Sequence, residues 1–209
     1  MGFAKKISAL LGTVLIMQGA GFAGPGDFAA GTLFAPHTAQ GAEAEEPVWQ
    51  KDIDEATRDD TMVYNIYVGK PMQSVIDELT QKGWKQEPSD NGIFYVKRKN
   101  GYIQGIALHP NASDKNIIGN YRIRFYAKDR DTADEMYMRA EKNFSYNFGR
   151  PSIKKGMSNN TWFLNDSFAI IVEYNEYDPK MPLVKNFYPY EIVIKRETGD
   201  YKKFFEAGK

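Results

Sequence analysis

Residues 62–84 read MVYNIYVGKPMQSVIDELTQKGW, and their local signals guide the interpretation of the whole chain. Positions 62–68 carry the β-branched and aromatic residue types that favour strands. Apolar residues then follow at helix spacing, and they are Met72, Val75, Ile76 and Leu79. Pro71 suits the first helical position, and Gly83 suits the left-handed residue at which such a helix stops. The stretch therefore predicts a strand, a tight corner and a short amphipathic helix.

Three strands are predicted after this helix, at residues 84–87, 93–99 and 102–109. The last two are joined by Asn100-Gly101, a dipeptide that favours a type I′ hairpin turn. Gly105 inside the third predicted strand suggests a β-bulge. Residues 110–120 are polar and predict a loop.

A similar order of elements follows about 65 residues further along the chain. Residues 121–127 alternate apolar and polar side chains, as a half-buried strand does. Thr132 and Glu135 have capping-box spacing at the start of a long amphipathic helix, which Gly149 ends. Further elements are predicted as strands at residues 153–157, 160–164, 168–174 and 190–196, and as a short helix at 200–206.

The order strand, helix and three strands thus occurs twice and is followed by a closing strand. It predicts an α+β fold with antiparallel sheet packing, helices on one face and a tandem β-α-β-β-β repeat. We place the first unit at residues 62–120. The second unit, at 121–209, includes the closing strand and the short C-terminal helix.

This pattern resembles the repeats of secreted β-lactamase inhibitor proteins and of small outer-membrane-assembly lipoproteins. In those families a short helix precedes a meander, and two copies can share a sheet. The resemblance rests on residues 69–83 and the hairpins that follow, and it implies a binding module of the cell envelope. The chain has no cysteine and so departs from the lipoproteins, which need one for lipid attachment. The resemblance assigns a role to no individual residue.

The first 23 residues have the form of a secretory signal peptide, with a charged start, an apolar run at residues 7–17 and small residues after it. Cleavage fits after Ala23 or, in an A-x-A context, after Ala44. The apolar run is short for a membrane span, which disfavours an uncleaved anchor. We therefore predict an extracytoplasmic protein, periplasmic or secreted, whose mature chain has no transmembrane span.

Residues 45–61, EEPVWQKDIDEATRDDT, are predominantly acidic. We interpret them as a solvated linker with one turn of helix near residues 54–58. The alternative is that Val48, Trp49 and Ile53 attach this segment to the core.

Composition excludes several classes of function. The 27 basic residues balance the 27 acidic ones, whereas nucleic-acid-binding proteins usually carry a basic field. With no cysteine and only two histidines, thiol catalysis, disulfides and Cys- or His-rich metal sites are excluded. The acidic cluster at 129–135 lacks the glycine of an EF-hand loop, so we interpret it as helix capping. We predict no catalytic residue, no metal site and no cofactor.

Aromatic residues flank a proline-rich segment at 175–189 and form the first candidate binding set. They are Tyr174, Tyr177, Phe187, Tyr188 and Tyr190. Long loops on rigid scaffolds often carry function, and tyrosine buries a large area at modest entropic cost. The alternative is that these side chains cover the core.

Arg122 and Arg124 form the second candidate binding set. Together with Lys97, Arg98 and Lys99 they would make one basic strip if their strands were neighbours. Such a strip could hold an anionic polymer or an acidic partner. The alternative is an ordinary solvated sheet face.

The leader and the lack of a reactive side-chain set predict an exported, non-enzymatic binding protein. Its partner would be an envelope or extracellular protein or glycan, and its oligomeric state stays open. One alternative is a hydrolase of cell-wall material or polysaccharide that uses paired carboxylates, because such chemistry needs neither cysteine nor histidine. Another is a carrier of an apolar small molecule.

Overall fold

The computed structural model describes residues 46–58, 61–89, 92–156, 158–180 and 187–206, which form four helices and eight strands. The helices are α1 (Val48–Thr57), α2 (Met72–Gln81), α3 (Arg130–Phe148) and α4 (Lys202–Glu206). The strands are β1 (Lys85–Glu87), β2 (Ile93–Arg98), β3 (Tyr102–Pro110), β4 (Ile118–Ala127), β5 (Ile153–Lys155), β6 (Asn159–Asn165), β7 (Phe168–Glu176) and β8 (Tyr190–Thr198). The signal peptide and both cleavage sites lie outside the described residues and stay predictions.

All eight strands belong to one antiparallel sheet, in the order β1-β2-β3-β4-β8-β7-β6-β5. The predicted α+β fold with an antiparallel sheet is therefore confirmed. The two halves of the chain meet at the sheet centre, where β4 pairs with β8 from Tyr121↔Arg196 to Ala127↔Tyr190. None of the helices in the described ranges is long and apolar enough to cross a membrane.

The tandem β-α-β-β-β repeat is not confirmed, because residues 62–68 do not form a strand. Val63 and Ile66 instead face each other across a tight turn, with N–H···O distances of 3.1 and 2.8 Å. Tyr64 and Asn65 between them have φ of 54° and 64°, the positive pair that defines a type I′ turn. Val63 and Ile66 are buried in the main core, whereas Met62 and Tyr67 are exposed. The first half of the chain instead has two helices, α1 and α2, before strands β1–β4, and the second half has α3 before β5–β8 and α4 after them.

The structure confirms helix α2 and its stop. Gly83 has φ of 77°, and its N–H donates to the Thr80 carbonyl at 3.0 Å. The N–H of Trp84 donates to the Leu79 carbonyl, also at 3.0 Å. These two bonds are those of a Schellman motif, which satisfies the last carbonyls of a helix. Pro71 is the N-cap of α2 rather than its first helical residue.

Three smaller predictions are corrected by backbone geometry. At the β2–β3 hairpin only Gly101 has a positive φ, of 84°, so the turn is not type I′. Gly105 is in regular register, and the irregularity in β3 lies between His109 and Pro110. Helix α3 is capped by Asp129, whose carboxylate accepts the Thr132 N–H at 2.9 Å, so no capping box begins at Thr132.

The segment predicted as an acidic linker is helix α1, so the linker interpretation is wrong. Trp49, Ile53 and Ala56 lie on one helix face and are buried. Acidic residues occupy much of the rest of the surface, which is why composition alone suggested a solvated segment.

Helices α1, α2 and α3 cover one face of the sheet and enclose the main core, which contains Trp49, Leu79, Phe125, Phe144 and Ile194. Side chains alternate along each strand, so neighbouring residues point to the opposite face. The short helix α4 packs on that opposite face at one end, where the Phe204 ring stacks on Phe163 at 4.1 Å. The rest of that face carries no helix among the described residues.

Helix α1 is fastened to α3 by a polar clasp. The Arg139 guanidinium donates from Nε and Nη2 to the two oxygens of Asp54, each at 2.7 Å. Asn143 adds bonds to the Asp54 carboxylate at 2.9 Å and to the Thr57 hydroxyl at 2.8 Å. A bidentate arrangement fixes the relative orientation of the two helices.

We expect Asp54→Asn to lower the free energy of unfolding at neutral pH by about 1 kcal/mol, since the pair is partly exposed. Hydrogen bonds from Arg139 hold the pKa of Asp54 below its usual range, against an opposing effect of burial. A carboxyl with a lowered pKa stabilises the fold above its unfolded-state pKa and loses this effect as pH falls through the folded-state pKa. The difference in the free energy of unfolding between wild type and variant should therefore disappear below about pH 4. Urea denaturation across pH measures it.

Asp77→Asn is the matched control, because Asp77 is exposed and accepts only a hydrogen bond from Gln73 among the described residues. Its stability should track wild type at every pH. If the destabilisation by Asp54→Asn relative to wild type stayed constant down to strongly acid pH, the clasp would not depend on the charge of Asp54.

Candidate functional site

The sheet face opposite α1, α2 and α3 is called the helix-free face, because among the described residues only the short helix α4 packs on it, at one end. It carries most of the candidate binding residues. From β4 it receives Arg122, Arg124 and Tyr126, and from β8 it receives Glu191, Val193, Lys195 and Glu197. Register places Tyr126 opposite Glu191 and Arg122 opposite Lys195. The two candidate arginines therefore lie at the centre of the sheet.

An apolar cluster occupies one end of the helix-free face. It consists of Phe94, Val96, Ile103, Ala107 and Tyr126, and the partly buried Phe187 and Tyr188 pack against it. Gly105 makes room for this cluster, because a Cβ there would lie 2.7 Å from the Phe94 ring. The predicted binding residues Phe187 and Tyr188 are thus held on the sheet and cover part of it.

Phe187 is held on three sides. Its ring centroid lies 4.7 Å from that of Tyr126 and 5.8 Å from that of Phe94. The Arg98 guanidinium lies 5.6 Å from the Phe187 centroid, within cation–π range. The remaining part of the side chain is solvent-accessible. We call this arrangement the aromatic ledge.

Beside the aromatic ledge a buried carboxylate, Glu191, ties the sheet to the segment after β7. Glu191 is 1% exposed and accepts from Arg124 Nη1 at 2.8 Å. Its second oxygen accepts from the Tyr177 hydroxyl at 2.5 Å and from Asn175 Nδ2 at 3.0 Å. A buried charge that is paired and hydrogen-bonded in this way is accommodated without an orphaned oxygen.

The pKa values of Arg124 and Tyr177 both respond to this network. Burial is the largest single effect on the pKa of Arg124 and would lower it, but the charges of and hydrogen bonds to Glu191 and Tyr126 together outweigh burial and raise that pKa. Burial raises the pKa of Tyr177, and the charge and hydrogen bond of Glu191 raise it further. Tyr177 therefore stays a hydroxyl donor. Its backbone N–H donates to the Pro189 carbonyl at 2.8 Å, which closes the base of the segment.

The predicted basic strip does not form as one field. Arg122 pairs with Glu197 at 3.3 Å, and Lys195 on the same face pairs with Glu173 at 2.6 Å. Lys97 lies on the helix side over Trp84, and Lys99 pairs with Asp52 of α1. The centre of the helix-free face therefore carries a band of alternating charges. Binding at Arg122 and Arg124 stays a prediction.

The five candidate aromatic residues are divided between the two faces. Tyr177, Phe187 and Tyr188 lie on the helix-free face. Tyr174 and Tyr190 pack against the main core on the helix side, where Tyr174 meets Tyr137 edge-on at 5.9 Å. Sequence reasoning missed Glu191. The available signal was the alternation of side chains along the predicted strand. Ile192 and Ile194 suit the core face, so Glu191 and Val193 must lie on the opposite face.

A cleft of about 400 Å³ on the helix side bears on the hydrolase alternative. It places two carboxylates together, those of Asp52 and Glu55, which lie one helical turn apart on α1. The other lining residues are Tyr64, Lys82, Trp84, Lys97, Lys99 and Gln104. Asp52 pairs with Lys99 and accepts the Tyr102 hydroxyl at 2.5 Å. This carboxylate therefore has an evident structural role.

Comparison of the chain with protein-family models, curated proteins and solved structures finds no match. The resemblance to β-lactamase inhibitor proteins and outer-membrane-assembly lipoproteins stays a hypothesis about architecture.

We expect Tyr177→Phe to lower the free energy of unfolding by about 1–2 kcal/mol, because it removes a donor to a buried carboxylate. The backbone hydrogen bond from residue 177 to Pro189 should also open more often, so hydrogen exchange of the residue 177 backbone amide should accelerate. Tyr146→Phe is the matched control, since Tyr146 is 90% exposed on α3. Equal exchange rates in the two variants would show that the hydroxyl does not anchor this segment.

Proposed function

We propose that this chain is an exported, non-enzymatic binding protein that holds a protein partner on its helix-free face. The observation that carries the proposal is the aromatic ledge, in which Phe187 is clamped by Tyr126, Phe94 and Arg98 while part of it stays accessible. The predicted leader supports an extracytoplasmic location, in the periplasm or in the medium.

Pre-organisation is the physical reason for choosing this ledge. An aromatic side chain that is already immobile loses little conformational entropy when a partner covers it. Aromatic residues and arginine are also the types most enriched among binding hot spots. Glu191 extends the rigid region, because Tyr177 and Asn175 bind the same carboxylate.

The charge pattern next to the ledge favours a protein over a polyanion. Arg122–Glu197 and Lys195–Glu173 alternate in sign across the sheet centre. A polyanion would be repelled by the acidic members, whereas a protein surface can match both signs and gain orientation from them. A glycan partner would depend mainly on the ledge and little on these ion pairs.

The test is capture of a partner by the immobilised full chain from envelope and culture-fluid extracts, followed by binding measurements with the purified captured protein. We expect Phe187→Ala to weaken binding by about tenfold or more, roughly 1.4 kcal/mol. Tyr146→Ala, an aromatic truncation on the helix side, should leave affinity unchanged. Circular dichroism spectra of both variants serve as the control for folding.

Equal affinity for the two variants would overturn the ledge as the contact surface. A captured glycan whose binding is independent of salt would overturn the choice of a protein partner.

A second candidate function, polysaccharide hydrolysis, is favoured by the placement of Asp52 and Glu55 in one cleft. Asp52 accepts hydrogen bonds from Lys99 and Tyr102 and would serve as the base, and Glu55 would act as the acid. The clefts at Asp52 and at Tyr174 contain several charged residues, which gives no support to an apolar carrier.

If the chain is a hydrolase, Glu55→Gln should reduce release of reducing sugar from peptidoglycan or polysaccharide by about a hundredfold. Glu135→Gln, an exposed acidic residue on α3, is the control. Wild-type protein that releases no sugar from either substrate would remove this candidate.

A further inference from the structure

The cleft of about 400 Å³ that contains Asp52 and Glu55 is lined by four segments that are distant in sequence. They are α1, the tight turn at residues 63–66, the end of α2 with Trp84, and the β2–β3 hairpin. The volume lies within the range of small-molecule sites. Side chains from all four segments can therefore contact a single ligand.

Several side chains that line this cleft are fixed in position. Gln104 is 1% exposed, and its amide nitrogen donates to the Tyr64 hydroxyl at 2.5 Å. The Tyr64 hydroxyl donates in turn to the Asp52 carbonyl at 3.3 Å. The Tyr64 ring packs against Trp84, with centroids 6.1 Å apart. Because these side chains are already ordered, a ligand that contacts them loses little affinity in ordering them.

Tyr64 is held in a backbone conformation that tyrosine rarely adopts. Its φ of 54° lies in the left-handed region, which is disfavoured for bulky side chains. Backbone strain of this kind is concentrated at functional sites. Here it accompanies a turn that brings the Tyr64 side chain between α1 and the β2–β3 hairpin, where it meets Asp52 and Gln104.

Lys82 and Lys97 supply two positive charges that no carboxylate pairs with among the described residues. The Lys97 ammonium donates to the Lys82 carbonyl at 3.5 Å, which places it at the end of α2. It also lies 5.9 Å from the Trp84 ring centroid. Lys99 differs from these two lysines, because it pairs with Asp52. The cleft thus has two uncompensated cations and an aromatic side chain beside one of them.

Glu55 supplies a negative charge from the α1 side of the same cleft. Its carboxylate makes no ion pair within the part of the chain that the structure describes. Burial raises the pKa of Tyr64, and the charges of Asp52 and Glu55 raise it further, so the Glu55 charge lies near the Tyr64 hydroxyl. Uncompensated charges of both signs therefore line one cleft.

We propose that this cleft binds a small zwitterion with an apolar side chain, either a free amino acid or a dipeptide. Lys82 and Lys97 bind its carboxylate, Glu55 binds its ammonium group, and the Trp84 ring packs against its side chain. The proposal rests neither on the aromatic ledge nor on hydrolysis, since binding here requires no bond cleavage.

The class of ligand follows from the mixture of charges. A simple anion would be attracted by the lysines and repelled by Asp52 and Glu55, and a simple cation would meet the reverse. A neutral ligand would leave the strong charge-assisted hydrogen bonds of these groups unused. A zwitterion places each of its charges against the opposite one.

The experiment titrates leucine and alanyl-leucine into the isotope-labelled full chain and follows the Trp84 indole N–H and the Gln104 side-chain amide by NMR. The N-acetylated form of each probe lacks the ammonium group, and the C-amidated form lacks the carboxylate. We expect saturable shifts with at least one zwitterion. Both of its blocked forms should bind about tenfold more weakly or worse, because each loses a charge-assisted contact.

Variants of exposed residues assign the two charges. Glu55→Gln should weaken binding of the zwitterion by about tenfold and abolish its advantage over the N-acetylated form. The double variant Lys82→Gln/Lys97→Gln should abolish its advantage over the C-amidated form. Lys115→Gln, an exposed lysine between β3 and β4, is the matched control and should change neither affinity nor selectivity.

Selectivity distinguishes a binding role from a structural one, because general destabilisation would weaken the zwitterion and its blocked forms alike. Folded wild type that gives no saturable shift with leucine or alanyl-leucine would overturn the site. Blocked forms that bind as tightly as the zwitterion would overturn the ligand class, and tighter binding of the N-acetylated form would indicate a simple anion site instead. Selectivity that survives both the Glu55 and the double lysine variants would overturn the location.

Discussion

The pairing of β4 with β8 is the constraint on which the rest of the fold depends. Each of the other strand pairs joins strands that follow one another closely in sequence, except where β7 returns to β8 through the 175–189 segment. Among the strand pairs, the β4–β8 ladder alone joins the two halves of the chain, and it contributes to both sides of the sheet. Ile123 and Ile194 face the main core, while Arg124 and Glu191 form the buried ion pair on the opposite face. Pairing strands so far apart in sequence carries a large loop-closure cost, and burial on both faces offsets it.

Local signals were sufficient where structure is decided locally. The apolar stripe and glycine stop of α2 were predicted correctly because helix periodicity and the left-handed residue act within a few positions. Local signals failed at residues 62–68, where Val63 and Ile66 pair only with each other across a tight turn and are buried in the main core instead of extending the sheet. Local signals failed again at α1. Its many acidic residues suggested a solvated segment, although Trp49, Ile53 and Ala56 recur at helix spacing and are buried. The β4–β8 pairing could not be predicted, since no turn or motif links those strands.

In the candidate site too, local sequence identified individual residues, whereas long-range pairing decided what they contact. Proximity in sequence grouped Tyr174 with Tyr177, but the pleat of β7 sends Tyr174 to the core and the Tyr177 hydroxyl to Glu191 on the other face. Phe187 and Tyr188 at the end of the long segment pack on the sheet, and binding by the aromatic set stays a prediction. What its residues touch depended on the register of β8, which fixes Glu191 opposite Tyr126. The register of β4 with β8 also places Glu197 beside Arg122 and Glu191 beside Arg124. The expected basic strip is therefore a band of alternating charges.

Both margins of the sheet are formed by the shortest strands, β1 (Lys85–Glu87) and β5 (Ile153–Lys155). Each offers only a few free backbone groups, and each bears lysine. Short, charged margins resist the addition of a strand from another chain, which is the route by which exposed sheets polymerise. This molecule can therefore display a broad sheet face without the sheet becoming the start of a fibre. Contact with another molecule through the sheet would then involve the side chains of its faces rather than the backbone of its edges.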